Sequence, residues 1–327
     1  MVVGHQDNSL AFIVVTYNAS NTINRCIESI YKHMTSTLFA SWHVVIIDNA
    51  SSDGTQISLK SLQNKHPNLQ VTFLDKNIGF GPANNLGFTM VEANYHILLN
   101  ADAWLLANSI LPTIEIMSKQ KNIAICGLPL IYPDGSPQTY TYSFSSWHRW
   151  LLSLMGIANI VKKLIRINLF AQLFQLFPYS RSYVTNQKKP SLDISRINPE
   201  EYDATFQDVD WVCGAGMIIS KSFIDKFGGF DTNIFLYGED EDLCITAHNQ
   251  GYRVITANVA PLVHMLGWNG DNSNPVVSDL KFMSLHYFIK KDIRNRVSQL
   301  LMKTLLPFYV YGYKRFYRAF TIKSRIF

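Results

Sequence analysis

Residues 42–54 read WHVVIIDNASSDG, an apolar run that ends on a carboxylate, Asp48, and passes into a turn of short polar residues. A short apolar run bounded by Asn, Ser, Asp and Gly predicts a buried strand feeding a helix. The pattern repeats on either side. Ala11–Tyr17, Leu69–Leu74 and Tyr95–Leu99 are further predicted strands, Asn18-Ala-Ser20 a predicted helix start, and Pro82–Glu92 a predicted helix. Repeated strand–helix units predict an α/β fold with a doubly wound, mostly parallel sheet. Such sheets bind ligands beyond the carboxyl ends of their strands. Thr16, Asn18, Asp48, Asn49, Asn77, Asn100 and Asp102 all fall at those ends.

The 327-residue chain is 47% hydrophobic, enough to bury a sizeable core. Cys26, Cys126, Cys213 and Cys244 lie far apart in apolar stretches without metal-ligand spacing, so reduced core thiols are expected rather than disulfides or zinc. The N-terminus lacks the basic and apolar regions of a secretory signal. The net charge of +5 is unevenly spread: the acid-free stretches 135–192 and 293–327 hold seven and eight bases, and the remainder is acidic. That asymmetry points to docking on an anionic surface, membrane or nucleic acid. Residues 146–178 combine Trp, Leu and Lys/Arg, and their longest uncharged run is too short to span a bilayer. This fits a helix lying among lipid headgroups, with a core or dimer helix as the other reading. Residues 181–198 read as an exposed loop, and the tail from Gln299 repeats the apolar, aromatic and basic theme.

The body resumes with a predicted strand over Trp211–Ser220, a turn at Gly228-Gly229, a helix over Glu239–Gln250 closed by Gly251, and a strand over Tyr252–Ala257. That helix opens with four acids, Glu239-Asp240-Glu241-Asp242, a gathering that suits either a base or a helix N-terminus. At helical spacing Asp240 shares a face with Leu243, Cys244 and Ala247, so it is expected to point inward, while Glu241 is expected to face solvent. Asn100-Ala-Asp102, ending a buried strand, can present oxygens to Mg²⁺ or Mn²⁺, with a helix-cap role for Asp102 as the alternative. Asp48 suits a base imide or ribose hydroxyl, or a turn backbone. Gly79, Gly81 and Gly87 around a helix start suit an anion or a tight turn. His264 follows a strand-like run and stands out among nine histidines, although taken by itself the structural reading outweighs the ligand one.

Together the stretches IVVTYNAS (13–20), VVIIDNASSDGT (44–55), NIGFGPANNLGF (77–88), ILLNADAWL (97–105), DWVCGAGMIISKSFIDKFGGFD (210–231), LYGEDEDLCI (236–245) and VHMLG (263–267) resemble glycosyltransferase family 2. They are most similar to its bacterial rhamnosyltransferase-like members. The resemblance implies a GT-A fold, with residues 1–143 as the nucleotide-sugar half and 201–275 as the acceptor half. Residues 144–200 would be a basic helical insertion and 276–327 a basic helical tail. It implies an inverting, metal-dependent transferase that moves a sugar, rhamnose favoured, from a nucleoside diphosphate to a saccharide or lipid-linked saccharide acceptor in cell-surface polysaccharide synthesis. UDP-sugars and GDP-mannose are the alternative donors.

The residue roles it implies run as follows. Thr16, Asn18 and Asp48 contact the nucleotide, Asn77 and Gly79 line the nucleotide-sugar site with Asn100, and Asp102 and His264 hold the Mg²⁺ or Mn²⁺. Asp240 is the general base, with Trp211, Gly214, Ala215 and Glu239 on the acceptor side. Peripheral attachment to the cytoplasmic face of the membrane is expected, nucleic acid is not an expected partner, and oligomerisation is left open. Two departures stand out. Asn100 replaces the first acid of the family's metal motif, and Thr246 stands where relatives often carry Arg, removing a charge partner. They keep open the alternative of an inactive, membrane-bound assembly partner.

Overall fold

The computed structural model describes residues 8–34, 41–154, 191–265 and 275–312. In chain order the first half holds β1 (Ser9–Thr16), α1 (Ile23–His33), β2 (Ser41–Asp48), α2 (Thr55–Lys65), β3 (Leu69–Phe73), α3 (Phe80–Met90), β4 (Tyr95–Leu99), β5 (Ala103–Leu105) and α4 (Ile110–Lys119). It continues through β6 (Ile123–Gly127), β7 (Leu130–Ile131), β8 (Thr141–Tyr142) and α5 (Trp147–Leu154). The second half holds β9 (Phe206–Asp208), β10 (Trp211–Val212), β11 (Gly216–Ser220), α6 (Lys221–Phe227), α7 (Glu239–Asn249), β12 (Arg253–Ala257), β13 (Leu262–His264), α8 (Pro275–Asp292) and α9 (Arg296–Pro307).

The main sheet has eight strands in the order β3-β2-β1-β4-β11-β6-β12-β9. Its first four are parallel, with Thr16 opposite Asp48 and Ile13 opposite Leu98. β11 runs antiparallel between β4 and β6, and β9 antiparallel along β12. The chain winds outward from β1 to β3 and returns to the other flank of β1 as β4. That reversal opens a crevice at the carboxyl ends of β1 and β4, where such sheets take ligands. The central strands are covered on both faces, which is why their sequences are nearly continuous apolar runs. Ile23, Cys26, Ile27 and Ile30 of α1 pack on one face, and Leu243, Cys244 and Ala247 of α7 on the other. The 3-4-7 spacing, counted from Ile23 in α1 and from Asp240 in α7, puts each set on one side of its helix.

Three expectations change. The segment Trp211–Ser220 is two strands, broken at 213–215. The first helix starts at Ile23 rather than at Asn18-Ala-Ser20. Asn18 has a positive φ of 52°, and its Oδ1 accepts from Ser52 N, so its side chain serves a neighbouring loop instead of a cap. The third helix begins at Phe80, two residues before Pro82.

The described part of the 146–178 segment is α5, and it is built into the protein. Trp150 is buried, stacked on Tyr309 with ring centroids 4.4 Å apart, in a cluster with Phe288, Ile289, Met302 and Leu306 of α8 and α9. The rest of that segment, residues 181–190 of the loop expected over 181–198 and the tail beyond 312 lie outside the described residues. All four cysteines are free thiols, as expected.

Candidate active site

A cavity of about 200 Å³ opens at the ends of β1 and β4, lined by Asn18, Asn77, Gly79, Phe80, Asn100, Asp102 and Phe235 among others. Thr16, between the lining residues Val15 and Tyr17, and Asp48, next to the lining residue Asn49, are both buried. Asp48 Oδ2 accepts from Gln56 Nε2 (2.9 Å) and Ser51 N (3.3 Å), whereas its Oδ1 and Thr16 Oγ1 have no partner among the described residues. Buried oxygens without donors are costly, so two of them beside a cavity mark a place for ligand N–H or O–H groups.

The loops around the cavity are tied to one another. Asn18 N donates to Ser51 Oγ (2.9 Å), and both Asn18 and Ala50 hold positive φ angles. Asn49 is the cross-tie: its Oδ1 accepts from Ile78 N (2.8 Å) and its Nδ2 donates to Gly79 O (3.1 Å). Asn77 lines the cavity, but its Oδ1 accepts from Gly79 N (3.0 Å), so its acceptor serves its own turn. Gly79 sits at φ 96° with Phe235 O against its Cα, and Phe80 N donates to that same carbonyl (3.0 Å). Here glycine is required by both angle and space.

Asp102, on the wall of this cavity, has His264 beside it. β13 pairs antiparallel with β5, placing His264 opposite Ala103, and Met265 N donates to Asp102 O (3.1 Å). His264 Nε2 lies 3.4 Å from Asp102 Oδ1 and 3.3 Å from Asn100 Nδ2. His264 Nδ1 faces Gln138 Oε1 at 3.0 Å, so with this amide orientation Nδ1–H donates and the Nε2 lone pair accepts from Asn100 Nδ2, with Asp102 Oδ1 beside it. A carboxylate and an imidazole nitrogen side by side suit a shared cation. Among the described residues no group of three or more His, Cys, Asp or Glu side chains gathers for a metal. The pair therefore fits a Mg²⁺ or Mn²⁺ ion that takes the rest of its shell from substrate phosphates and water.

The acid quartet opens α7 after Tyr237 and Gly238, both at positive φ (70° and 99°). Asp240 accepts from Gly214 N (3.3 Å) and Glu241 N (3.0 Å), and keeps part of its surface open. The break at 213–215 makes this possible. Gly214 N turns to Asp240, while Ala215 O accepts from Asn100 N (3.2 Å), so one short link joins Asp240 to the end of β4. Cys213 lies within that link, and its thiol is pushed up to about 12, first by burial and then by the charges of Asp240, Glu239 and Asp102. Burial also raises Asp240, against the pull of the Gly214 and Glu241 amides. Glu239 is buried and raised, by desolvation first and then by the neighbouring Asp240 charge. Trp211 stacks on Tyr142 (4.3 Å) and donates from Nε1 to Ser143 O (3.2 Å), so its indole N–H is committed.

Glu241 corrects the sequence reading. It is only 3% exposed and accepts from the N and Oγ of Ser145, the latter at 2.7 Å. The segment leading into α5 covers the face of α7 that the sequence pattern leaves to solvent. Asn49, Gln138 and Ser145 also lay beyond sequence reasoning, except that Asn49 stood in the cluster at the strand ends.

Taken together, the crevice, the Asn100–Asp102 strand end and the acid helix define a GT-A glycosyltransferase. A mannosyltransferase from Pyrobaculum calidifontis, solved with GDP-Man and Mn²⁺, shares the arrangement at a TM-score of 0.54 and 16% identity, over 95% of this chain and 72% of that one. GalNAc-T7, solved with UDP, GalNAc and Mn²⁺, does so at 0.57 and 14%, over 94% and 55%. These likenesses show the fold. Glycosyl transferase family 2 matches residues 11–185, and the chain belongs to that family. It is similar to the N-acetylglucosaminyl-diphospho-decaprenol L-rhamnosyltransferase of Mycobacterium tuberculosis, 23% identical over 266 residues, 78% of this chain and 75% of the relative. It is also similar to the putative teichuronic acid biosynthesis glycosyltransferase TuaG of Bacillus subtilis, 23% identical over 129 residues, 39% of this chain and 50% of the relative.

Proposed function

We propose that this glycosyltransferase moves a sugar, rhamnose in first place, from a nucleoside diphosphate to a lipid-linked saccharide in polysaccharide synthesis, with inversion. The observation that carries the reading is Asp240, held by Gly214 N in the link that also carries Ala215 to Asn100. The nucleotide sits over Thr16 and Asp48, whose unpartnered oxygens take its donors. Asp240 removes the acceptor hydroxyl proton as that oxygen bonds to the anomeric carbon and the bond to the diphosphate breaks. Burial raises Asp240 towards the pKa range useful to a base at neutral pH. Asp102 and His264 would hold a divalent cation, and the chemistry it supplies when bound is charge neutralisation on the leaving diphosphate. The sugar and the lipid carrier rest on the mycobacterial relative's name. Incubating the enzyme with Mn²⁺, a panel of nucleotide sugars and an acceptor glycolipid tests the reading. Transfer from the dTDP-rhamnose donor with an inverted anomeric centre by NMR is expected; retention, or preference for another sugar, contradicts it.

Membrane contact belongs to the same reading. Val297, Leu300 and Phe308 on and just after α9 are more than 60% exposed, Arg294 and Arg296 are exposed beside them, and no acid follows Asp292. Among the described residues no helix is long and apolar enough to cross a membrane. An apolar stripe with flanking bases, each adding about 1 kcal/mol near an anionic leaflet, suits peripheral attachment at the cytoplasmic face. Flotation with phosphatidylglycerol vesicles should be lost on Leu300→Glu/Phe308→Glu; undiminished flotation would sink the idea.

A further inference from the structure

With Thr246 in place of an arginine, α7 has no Lys or Arg to balance its four acids. The cation comes from the C-terminal helices. Lys291, near the end of α8, reaches Asp242 Oδ1 at 2.5 Å and Asp231 Oδ2 at 2.8 Å. The side chains of Asp242 and Asp231 are only 3% and 14% exposed. One ammonium thus bridges the first turn of the acid helix and the start of the loop that leads into it. Tyr287, one turn earlier on α8, donates to the same Asp231 oxygen (3.0 Å). The loop so anchored carries Phe235, whose carbonyl accepts from Phe80 N at the donor cavity, and then Tyr237 and Gly238 in their positive-φ turn. It lines the cavity at one end and delivers Asp240 at the other.

We propose that Lys291 is a positioning residue for the transfer reaction, holding the 231–238 loop and the start of α7 together and balancing the buried charge beside Asp240. The inference rests on Asp240 as the base. The need for a cation is visible in the surroundings of Asp240. Glu239, Glu241 and Asp242 share its helix turn, Cys213 faces it from the link, and Asp292 of α8 adds a further carboxyl beside Asp242. Although burial works against both charges, Asp231 is held down to about 2 and Lys291 is raised, so the Asp231–Lys291 pair stays charged across the working range. Buried ion pairs add little net stability against apolar replacements, but removing one partner leaves a bare charge in a dry place. Without Lys291 the Asp242 carboxylate would act on Glu239, which already feels it, and through Glu239 on Asp240.

The test compares Lys291→Met, Lys291→Arg and Lys291→Met/Asp242→Asn in the full chain, measuring transfer against pH. Lys291→Met should lower kcat by about tenfold or more and move the acid limb of kcat/KM up by about one pH unit. Lys291→Arg should keep the wild-type profile. The double variant carries no bare charge at 242 and stands in if Lys291→Met does not fold. It should return the limb to its wild-type position yet keep the lowered kcat, because the bridge to the loop is gone. A folded Lys291→Met with wild-type kcat and profile overturns the proposal, as does a double variant with wild-type kcat. Asp240→Asn assayed alongside separates the two readings. If it stays active the base assignment fails, whereas wild-type Lys291 variants beside an inactive Asp240→Asn remove the role of Lys291 alone.

Discussion

Gly79→Ala should damage stability and donor binding together, and Gly228→Ala provides the internal control. Gly79 sits at φ 96°, ψ 168° and Gly228 at φ 85°, ψ 175°, a region that only glycine occupies comfortably. Either alanine therefore carries about 1–3 kcal/mol of backbone strain. The surroundings differ. A Cβ on Gly228 meets nothing within 4 Å, whereas one on Gly79 stands 2.5 Å from Phe235 O and 3.1 Å from Phe235 Cα. Backbone cannot swing aside as a side chain can, so the clash adds about 1–3 kcal/mol. At about 2.1 cal/mol/K of unfolding entropy per residue, a 327-residue chain shifts by roughly 1.5 °C per kcal/mol, so Gly228→Ala should melt a few degrees low and Gly79→Ala about twice as far below wild type. Thermal unfolding by circular dichroism reads this directly. Gly79→Ala should also raise the donor KM, since relieving the clash breaks the 3.0 Å Phe80 N to Phe235 O bond at the cavity wall. If Gly79→Ala melts no lower than Gly228→Ala, the reasoning is refuted.

Two further outcomes follow from the acid helix and the Asp102–His264 pair. Glu241 is pushed up to about 8, chiefly by burial, so the folded state binds a proton that the unfolded chain has released above about pH 4.3. Its contribution is thus present at low pH and lost as pH rises through about 8. Glu241→Gln should flatten the fall in Tm between about pH 5 and 8, and an unchanged slope would contradict the burial argument. Asp102→Asn should abolish the thermal stabilisation by Mn²⁺ plus nucleoside diphosphate while sparing that by the nucleotide alone. Equal Mn²⁺ response in both proteins would remove Asp102 from the metal site.

The sheet was legible because its strands are dense apolar runs closed by short polar turns, and the ligand end followed from the polar residues at their carboxyl ends. The inward stripe of Asp240, Leu243, Cys244 and Ala247 was likewise readable from helical spacing. What escaped depends on contacts far apart in sequence. Glu241 is covered by Ser145, 96 residues away, and Lys291 reaches Asp242 across 49. Helical periodicity has no means of knowing that a second layer covers the outer face of a helix. The break within Trp211–Ser220 was hidden for another reason. Cys213, Gly214 and Ala215 are small and compatible with a strand, and the turn is set by what their backbone groups bond: Tyr140, Asp240 and Asn100.

The central claim is that Asp240, seated by Gly214, is the base of an inverting sugar transfer. Its most direct test is Asp240→Asn, near-isosteric and still able to accept from Gly214 N. Single-turnover transfer should fall by about 10²–10⁴-fold while donor binding, measured by calorimetry, stays at the wild-type value. Transfer at a wild-type rate in a protein that binds donor normally would contradict the account.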